Sequence, residues 1–332
     1  MKLSIIIPFY NAQEYLGKCL ETVSACPSNE IECILVNDGS TDSSLDICES
    51  FLQKDPRFHV ISQKNEGVSV ARNTGIMHAI AEKIFFLDSD DYINVDKWED
   101  ILKAAEEDFD FIAFSYYTLW ADGSAKEELF HLKSMETSDM QTVRMILLAS
   151  ARFNTCWGKL LNRDLIIRNG LKFKKGMKTG EDAVFILDYF QKASTFSVRN
   201  KSILFYRQHN NSVMHKMNMA DKLDDFQAIY DSRRKLAQQW GDPNLEKEMY
   251  RQLFSIITDL FLRYSAGSTL YESAEAFREA FKSNMIQTII QNTPYAQLSP
   301  VYKKIEYLLM KEGLFGSLAH IMKIKAKFTR LT

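Results

Sequence analysis

Strong net charge is the first thing this sequence lacks. Against 41 Lys and Arg stand 43 Asp and Glu, for a formal charge of -2 over 332 residues. No broad basic field is present, so nucleic acid is not the expected partner. Paired cysteines are missing as well: Cys19, Cys26, Cys33, Cys48 and Cys156 form no C-x-x-C and leave an odd one over. They read as reduced thiols in a cytoplasmic protein. The apolar opening at residues 3–7 resembles a signal peptide only superficially, because Pro8, Asn11, Gln13 and Glu14 cut it short. No apolar run approaches the length of a membrane-spanning helix. With 6 prolines and 13 glycines there is little material for long flexible linkers. Core material, by contrast, is plentiful: 46% of residues are hydrophobic and 25% charged. The chain is longer than one typical domain, so a main domain with an appendage is expected.

Short apolar runs alternate with helix-period segments through the first 120 residues. Strands are expected at residues 3–7, 32–36, 58–62, 83–87 and 109–119. Between them, helices are expected at 12–24, 45–52, 67–81 and 97–107. The first turns Tyr15, Leu16, Cys19, Leu20 and Val23 to one face, and the third turns Val70, Ile76 and Ile80 inward. This alternation predicts an α/β fold with a doubly wound, mainly parallel sheet. Ligands of such sheets sit beyond the carboxyl ends of the strands. Three of those ends are conspicuously polar: Tyr10-Asn11, Asp38-Gly39-Ser40, and Asp88-Ser89-Asp90-Asp91. After about Met214 the periodicity turns helical throughout, which predicts an all-helical C-terminal region over 215–332.

Each polar group has a plain structural reading beside its chemical one. Asp38 can accept a hydrogen bond from a base edge or ribose, or it can cap the helix that follows. Asp88, Asp90 and Asp91 crowd carboxylates after an apolar strand, an arrangement that repulsion disfavours without a cation or hydrogen bonds. A hard divalent cation shared with substrate phosphates is one answer, and an ordinary acidic turn is the other. Glu181 and Asp182 suit a helix N-terminus through its dipole, or one of them serves as a general base. In Tyr206-Arg207-Gln208-His209, followed by Ser212, the Arg suits phosphate and the imidazole suits a metal shell. Arg72 and Asn73 read equally well as a surface pair.

Taken in order, these segments resemble the inverting glycosyltransferases of family 2, which have the GT-A fold. The matching pieces run from Ser4 to Asn11, Leu35 to Asp42, Asn65 to Gly67, Ala71 to Asn73 and Phe86 to Asp91. They continue through Trp157 to Leu160, Gly180 to Asp182, and Tyr206 to His209 with Ser212. An ordered series is far more specific than any member. The resemblance implies a catalytic domain over 1–214, with nucleotide-sugar binding in about 1–120 and the acceptor side in about 121–214. It implies that Pro8, Tyr10 and Asp38 cradle uracil, with Asn65 and Arg72 supporting the nucleotide. Asp88, Ser89 and Asp90 match the D-x-D segment, with Asp90 and His209 as ligands of Mn²⁺ or Mg²⁺. Asp182 matches the catalytic base, Glu181 contacts the sugar or acceptor, and Arg207 and Ser212 meet the diphosphate. Trp157 and Lys159 fall where relatives shape the sugar and acceptor pocket. Asn37 departs from the pattern, since many relatives carry an aspartate there.

The implied donor is a UDP-hexose, with UDP-galactose or UDP-glucose favoured. The implied acceptor is a glycan, lipid-linked intermediate or glycoprotein. A non-catalytic nucleotide-sugar-binding module and a nucleotidyltransferase are the competing readings. The second is disfavoured because residues 8–11 are nothing like a glycine-rich phosphate loop. In the C-terminal region, Lys303, Lys304, Lys311, Lys323, Lys325, Lys327 and Arg330 interleave with Ile305, Leu308, Leu309, Phe315, Leu318, Ile321, Met322 and Phe328. The simpler expectation is an apolar stripe packed on the catalytic domain with solvated lysines. The other is peripheral contact with the inner face of the plasma membrane. A homodimer or a protein acceptor would also use this region.

Overall fold

A computed structural model describes residues 1–130, 136–149, 151–208 and 219–328. Its strands are β1 (Leu3–Phe9), β2 (Ile31–Asn37), β3 (Phe58–Ser62), β4 (Lys83–Phe86), β5 (Tyr92–Ile93), β6 (Phe111–Leu119), β7 (Ala125–Glu128), β8 (Glu136–Thr137), β9 (Lys159–Asn162) and β10 (Phe196–Arg207). Its helices begin with α1 (Leu16–Ser24), α2 (Ser44–Leu52), α3 (Val68–His78), α4 (Trp98–Ala105), α5 (Met140–Ala149), α6 (Arg163–Arg168) and α7 (Glu181–Phe190). They continue with α8 (Met219–Trp240), α9 (Pro243–Gly267), α10 (Leu270–Ala280), α11 (Asn284–Asn292), α12 (Val301–Lys311) and α13 (Phe315–Phe328). Two compact units result. One comprises Met1–Val143, Phe153–Met177 and Glu181–Asn210; the other comprises Arg144–Arg152, Lys178–Gly180 and Asn211–Thr332.

The first unit is built on one mixed sheet of order β3-β2-β1-β4-β9-β6-β10-β5, with β7 on β6 and β8 on β10. The β3-β2-β1-β4 portion is parallel. Every residue of β1, β2 and β4 is buried, as continuous apolar runs covered on both faces must be. Beyond β4 the sheet changes character, because β9 runs antiparallel to both β4 and β6. The pairing of β6 with β10 is parallel again. β9, a strand of only four residues, is too short to announce itself by periodicity.

A buried acid fixes the exit of α3. Glu32 accepts from the Ser4 hydroxyl at 2.5 Å and from the backbone N–H of Ile80 at 2.8 Å and Ala81 at 3.3 Å. Those bonds satisfy a carboxylate that would otherwise be costly to bury. They also hold the chain extended after His78, so Ile80 is exposed rather than on the inward face expected of it. α3 itself lies flat on β1, because Gly75 leaves no side chain between them.

The second unit is helical throughout its described residues from Met219 onward, and α9 packs against α8, α10, α11 and α13. Phe261 and Phe277 stack at 4.2 Å in its interior. Residues 270–292 and 301–328 each hold two helices, α10 with α11 and α12 with α13. The break between α12 and α13 falls at Gly313, whose φ of +69° is left-handed and stops α12. No helix among the described residues is long and apolar enough to cross a membrane. All five cysteines are buried free thiols.

A Cβ at Gly75 would lie 2.3 Å from Ile6 Cγ2. Alanine normally gains about 1 kcal/mol over glycine in a helix, whereas overpacking a tight contact costs about 1–3 kcal/mol. Gly75→Ala is therefore expected to lower stability by about 1 kcal/mol or more in urea denaturation. An unchanged or raised midpoint would refute the close packing of α3 on β1.

Candidate active site

The parallel strands deliver their carboxyl ends to one edge, and the loops there are stitched together by short polar side chains. Asn11 Oδ1 accepts from Thr41 N at 2.8 Å, and Asn11 N donates to Ser40 Oγ at 3.1 Å. Asn37 Oδ1 accepts from Ser40 N at 2.8 Å, so the residue that departs from the family pattern closes its own turn. Asp38 does not cap α2. It is buried, and its Oδ1 accepts from Gln63 Nε2 at 2.7 Å and Glu66 N at 3.0 Å, while Oδ2 accepts from Gly67 N at 2.8 Å. Gly39, at φ +78°, lets Asn65 N approach to within 2.9 Å of where a Cβ would stand. Of the residues expected around the base, Tyr10 and Asn65 are exposed, whereas Pro8 is buried within β1.

The centre of the site is Arg72 on α3, only 3% exposed. Its Nη2 donates to Asp88 Oδ1 at 2.9 Å, and its Nη1 donates to Asp182 Oδ1 at 2.6 Å and Glu181 Oε1 at 3.0 Å. The guanidinium also sits 5.2 Å from the centre of the Phe173 ring. Arg72 was expected to support the nucleotide, but both Nη groups point at carboxylates. One cation thus joins the acid at the end of β4 to the acids that open α7. Asp182 Oδ2 accepts from Cys156 N at 3.1 Å, which fixes the orientation of its carboxylate. Burial raises the Asp88 and Glu181 carboxyls above the ordinary range; the nearby Asp182 charge adds to both, and Arg72 opposes it.

The rest of the acidic turn is tied to β10. Asp91 is buried, and its Oδ1 accepts from Arg207 N at 2.8 Å. Burial, reinforced by Asp88 and Asp90, pushes its carboxyl well above the usual range. Arg207 Nε donates to the carbonyl of Asp90 at 3.1 Å, and its guanidinium lies 4.8 Å from the Tyr15 ring centre. Ser89 and Asp90 are half-buried beside it. His209 and Ser212 lie outside the described residues.

Trp157 and Lys159 were expected to line the pocket, and the structure buries both. Trp157 stacks on Tyr206 at 4.9 Å and meets Tyr116 edge-on at 4.8 Å. Lys159 Nζ donates to Thr155 Oγ1 at 2.8 Å and to the Trp157 carbonyl at 3.0 Å. Phe173 and Tyr116 had no part in the expected site, because isolated aromatics carry no spacing signal; Asp91 and Tyr206 stood in the segments read there but were given no role of their own.

The donor set suits a hard divalent cation, being carboxylate oxygen throughout, and Asp91 Oδ2 is buried with no hydrogen-bond partner among the described residues. Among those residues no three His, Cys, Asp or Glu side chains group closely enough to hold an ion alone. Asp90 with phosphate oxygens, in the manner of Mg²⁺ sites, fits this arrangement.

Comparison with known proteins gives this α/β sheet its family. Residues 4–168 match the family described as Glycosyl transferase family 2, and the chain belongs to that family. It is 31% identical over 214 residues to the uncharacterized glycosyltransferase EpsJ of Bacillus subtilis, covering 64% of this chain and 62% of EpsJ. The match therefore spans less than two thirds of EpsJ, at 62% of its length. Glycosyltransferase GlyG of Streptococcus pneumoniae is 30% identical over 223 residues, 64% of this chain and 72% of GlyG. The crystal structure of S. aureus TarS 1–349 in complex with UDP-GlcNAc aligns with a TM-score of 0.74 at 20% identity, over 99% of this chain and 92% of that one. That likeness bears on the fold, which is GT-A type α/β with an all-helical C-terminal region.

Two outcomes test this geometry. Arg72→Gln leaves buried acids without their cation and is expected to destabilise by about 3–5 kcal/mol, less at acidic pH where the carboxyls protonate. A near-neutral effect in denaturant titration would remove Arg72 from the centre of the site. Burial lowers the Lys159 ammonium from 10.5 to about 8. Between those values the unfolded chain holds the extra proton, so stability rises with pH there and is flat below. Relative to Lys159→Met, the wild type is expected to gain about 1.4 kcal/mol per pH unit across that window. Parallel stability curves for the two proteins would place the amine in water.

Proposed function

We propose that the chain transfers a hexosyl unit from a UDP-sugar to a hydroxyl of a glycan acceptor, with inversion at the anomeric carbon. The observation that carries this reading is the convergence of Asp88 and Asp182 on Arg72, across 110 residues of sequence between Arg72 and Asp182. The D-x-D segment and the expected base thereby share one centre at the sheet edge where donors bind. Tyr10 and Asn65, on loops held by Asp38, receive the nucleotide, with Pro8 behind them. Ser89 and Asp88 face the ribose and diphosphate, and Arg207 and Ser212 neutralise the diphosphate.

In the reaction, Asp182 takes the proton of the acceptor hydroxyl as that oxygen attacks the anomeric carbon. The bond from that carbon to the β-phosphate oxygen breaks on the opposite face, and the electron pair leaves with UDP. An α-linked donor gives a β-linked product. Asp182 can give up its charge because Arg72 keeps Asp88 and Glu181 as partners and is never left unpaired. Glu181 contacts the sugar, and Trp157 and Lys159 set the pocket wall through Tyr206. A Mn²⁺ or Mg²⁺ ion on Asp90 and His209 would supply charge compensation for the diphosphate.

On this reading residues 1–214 form the catalytic part, nucleotide side to about 120 and acceptor side beyond, and 215–332 the helical appendage. The donor is UDP-galactose or UDP-glucose, with UDP-N-acetylglucosamine the alternative that the TarS complex suggests. The acceptor is a polysaccharide intermediate or a glycosylated surface protein, met in the cytoplasm.

UDP release from a panel of UDP-sugars, followed by acceptor trials with the best donor, tests the proposal. Asp182→Asn is expected to lose about 10²–10⁴-fold in transfer rate, and thorough chelation should silence the wild type. Near-normal transfer by Asp182→Asn sinks the base assignment. Release of pyrophosphate instead of UDP identifies a nucleotidyltransferase.

A further inference from the structure

Helix α12 buries two charged side chains and leaves three aliphatic ones exposed. Its inward face carries Lys303, Glu306, Tyr307 and Met310, all buried, with Glu306 at 0% exposure. Lys303 donates to Thr258 Oγ1, and Glu306 pairs with Lys325 of α13 at 3.0 Å. Its outward face carries Val301 at 72%, Ile305 at 44% and Leu308 at 44% exposure, spaced four and three residues apart. Amphipathic helices in water do the reverse. The apolar stripe read from the sequence is therefore split: Phe315, Leu318 and Met322 pack inward, while Ile305, Leu308 and Phe328 do not.

The surroundings of this face are basic and aromatic. Along residues 301–312 the acids are Glu306, which is buried, and Glu312, against Lys304 and Lys311, neither of them buried. Lys325 Nζ lies 4.1 Å from the ring centre of Tyr302, and Lys304 Nζ lies 5.6 Å from that of Tyr295; both rings are partly exposed. The Lys325–Tyr302 contact puts the C-terminal half of α13 beside this face, and Phe328, 85% exposed, follows Lys325 by three residues.

We propose that the outward face of α12, with the end of α13, docks on an anionic lipid surface. Apolar side chains projecting between lysines, with tyrosines at the margin, match a headgroup region in which chains insert shallowly and charges meet phosphate. Neither helix is long enough to span a bilayer, so both lie in its plane. A second copy of the chain fits less well. A two-fold interface sets the same patch against itself, and here that opposes lysine to lysine.

The test is flotation of the full chain with vesicles of equal parts phosphatidylcholine and phosphatidylglycerol, and with phosphatidylcholine alone. The wild type is expected to float with the anionic vesicles at low salt and to be released at high salt. Lys304→Gln and Lys311→Gln are each expected to weaken binding about fivefold. The double variant Ile305→Ser, Leu308→Ser should abolish flotation while thermal unfolding and UDP release in solution stay unchanged. Failure to float, or equal binding to both vesicle types, overturns the proposal. So does a dimer in light scattering that the serine variant dissociates, since the face then belongs to a second copy. None of these readouts depends on which sugar is transferred.

Discussion

The site depends on one buried guanidinium serving several carboxylates at once. Gathering Asp88, Glu181 and Asp182 would be prohibitive by repulsion and desolvation, and Arg72 makes it tolerable by pairing with each of them. Because Glu181 and Asp182 open α7, the helix dipole assists the same cause from the other side. The cluster still holds more acids than bases, three carboxylates against one guanidinium. Positioning comes from elsewhere: Cys156 N sets the Asp182 carboxylate, and Arg207 N sets Asp91.

Much of this was legible in the residues themselves. The parallel strands announced themselves as β-branched runs because burial on both faces leaves no room for alternation. The polar strand ends pointed to the edge where Asp88, Glu181 and Asp182 come together on Arg72. Partner identity was not legible. Nothing in Ala71-Arg72-Asn73 distinguishes a phosphate-binding arginine from one clamped among acids, since that depends on which helix faces which strand. Asp38 was weighed as a helix cap or a base contact, and its bonds go to a loop more than twenty residues away, a distance at which local signals are silent. Trp157 and Lys159 were placed near the pocket by order in the chain, but order does not reveal that both side chains are buried or what they touch.

The helical unit shows the same limit in another form. Periodicity announced a helical region but not its individual boundaries, because turns as short as 281–283 and 312–314 barely disturb a helical pattern. It also read the C-terminal apolar residues as one stripe. Lys303 and Glu306, the latter paired with Lys325, are buried on the inward side of α12 with Tyr307 and Met310, and ion pairing between two helices leaves no trace in hydrophobic spacing.

Gly75 carries a consequence beyond stability. It stands one helical turn after Arg72, against Ile6 of β1, so the seating of α3 sets the depth of the guanidinium among its acids. Warmth that merely loosens that seam would let the arginine drift while the sheet stays intact. Thermal inactivation of this protein should therefore begin as a local slackening around α3, ahead of cooperative melting.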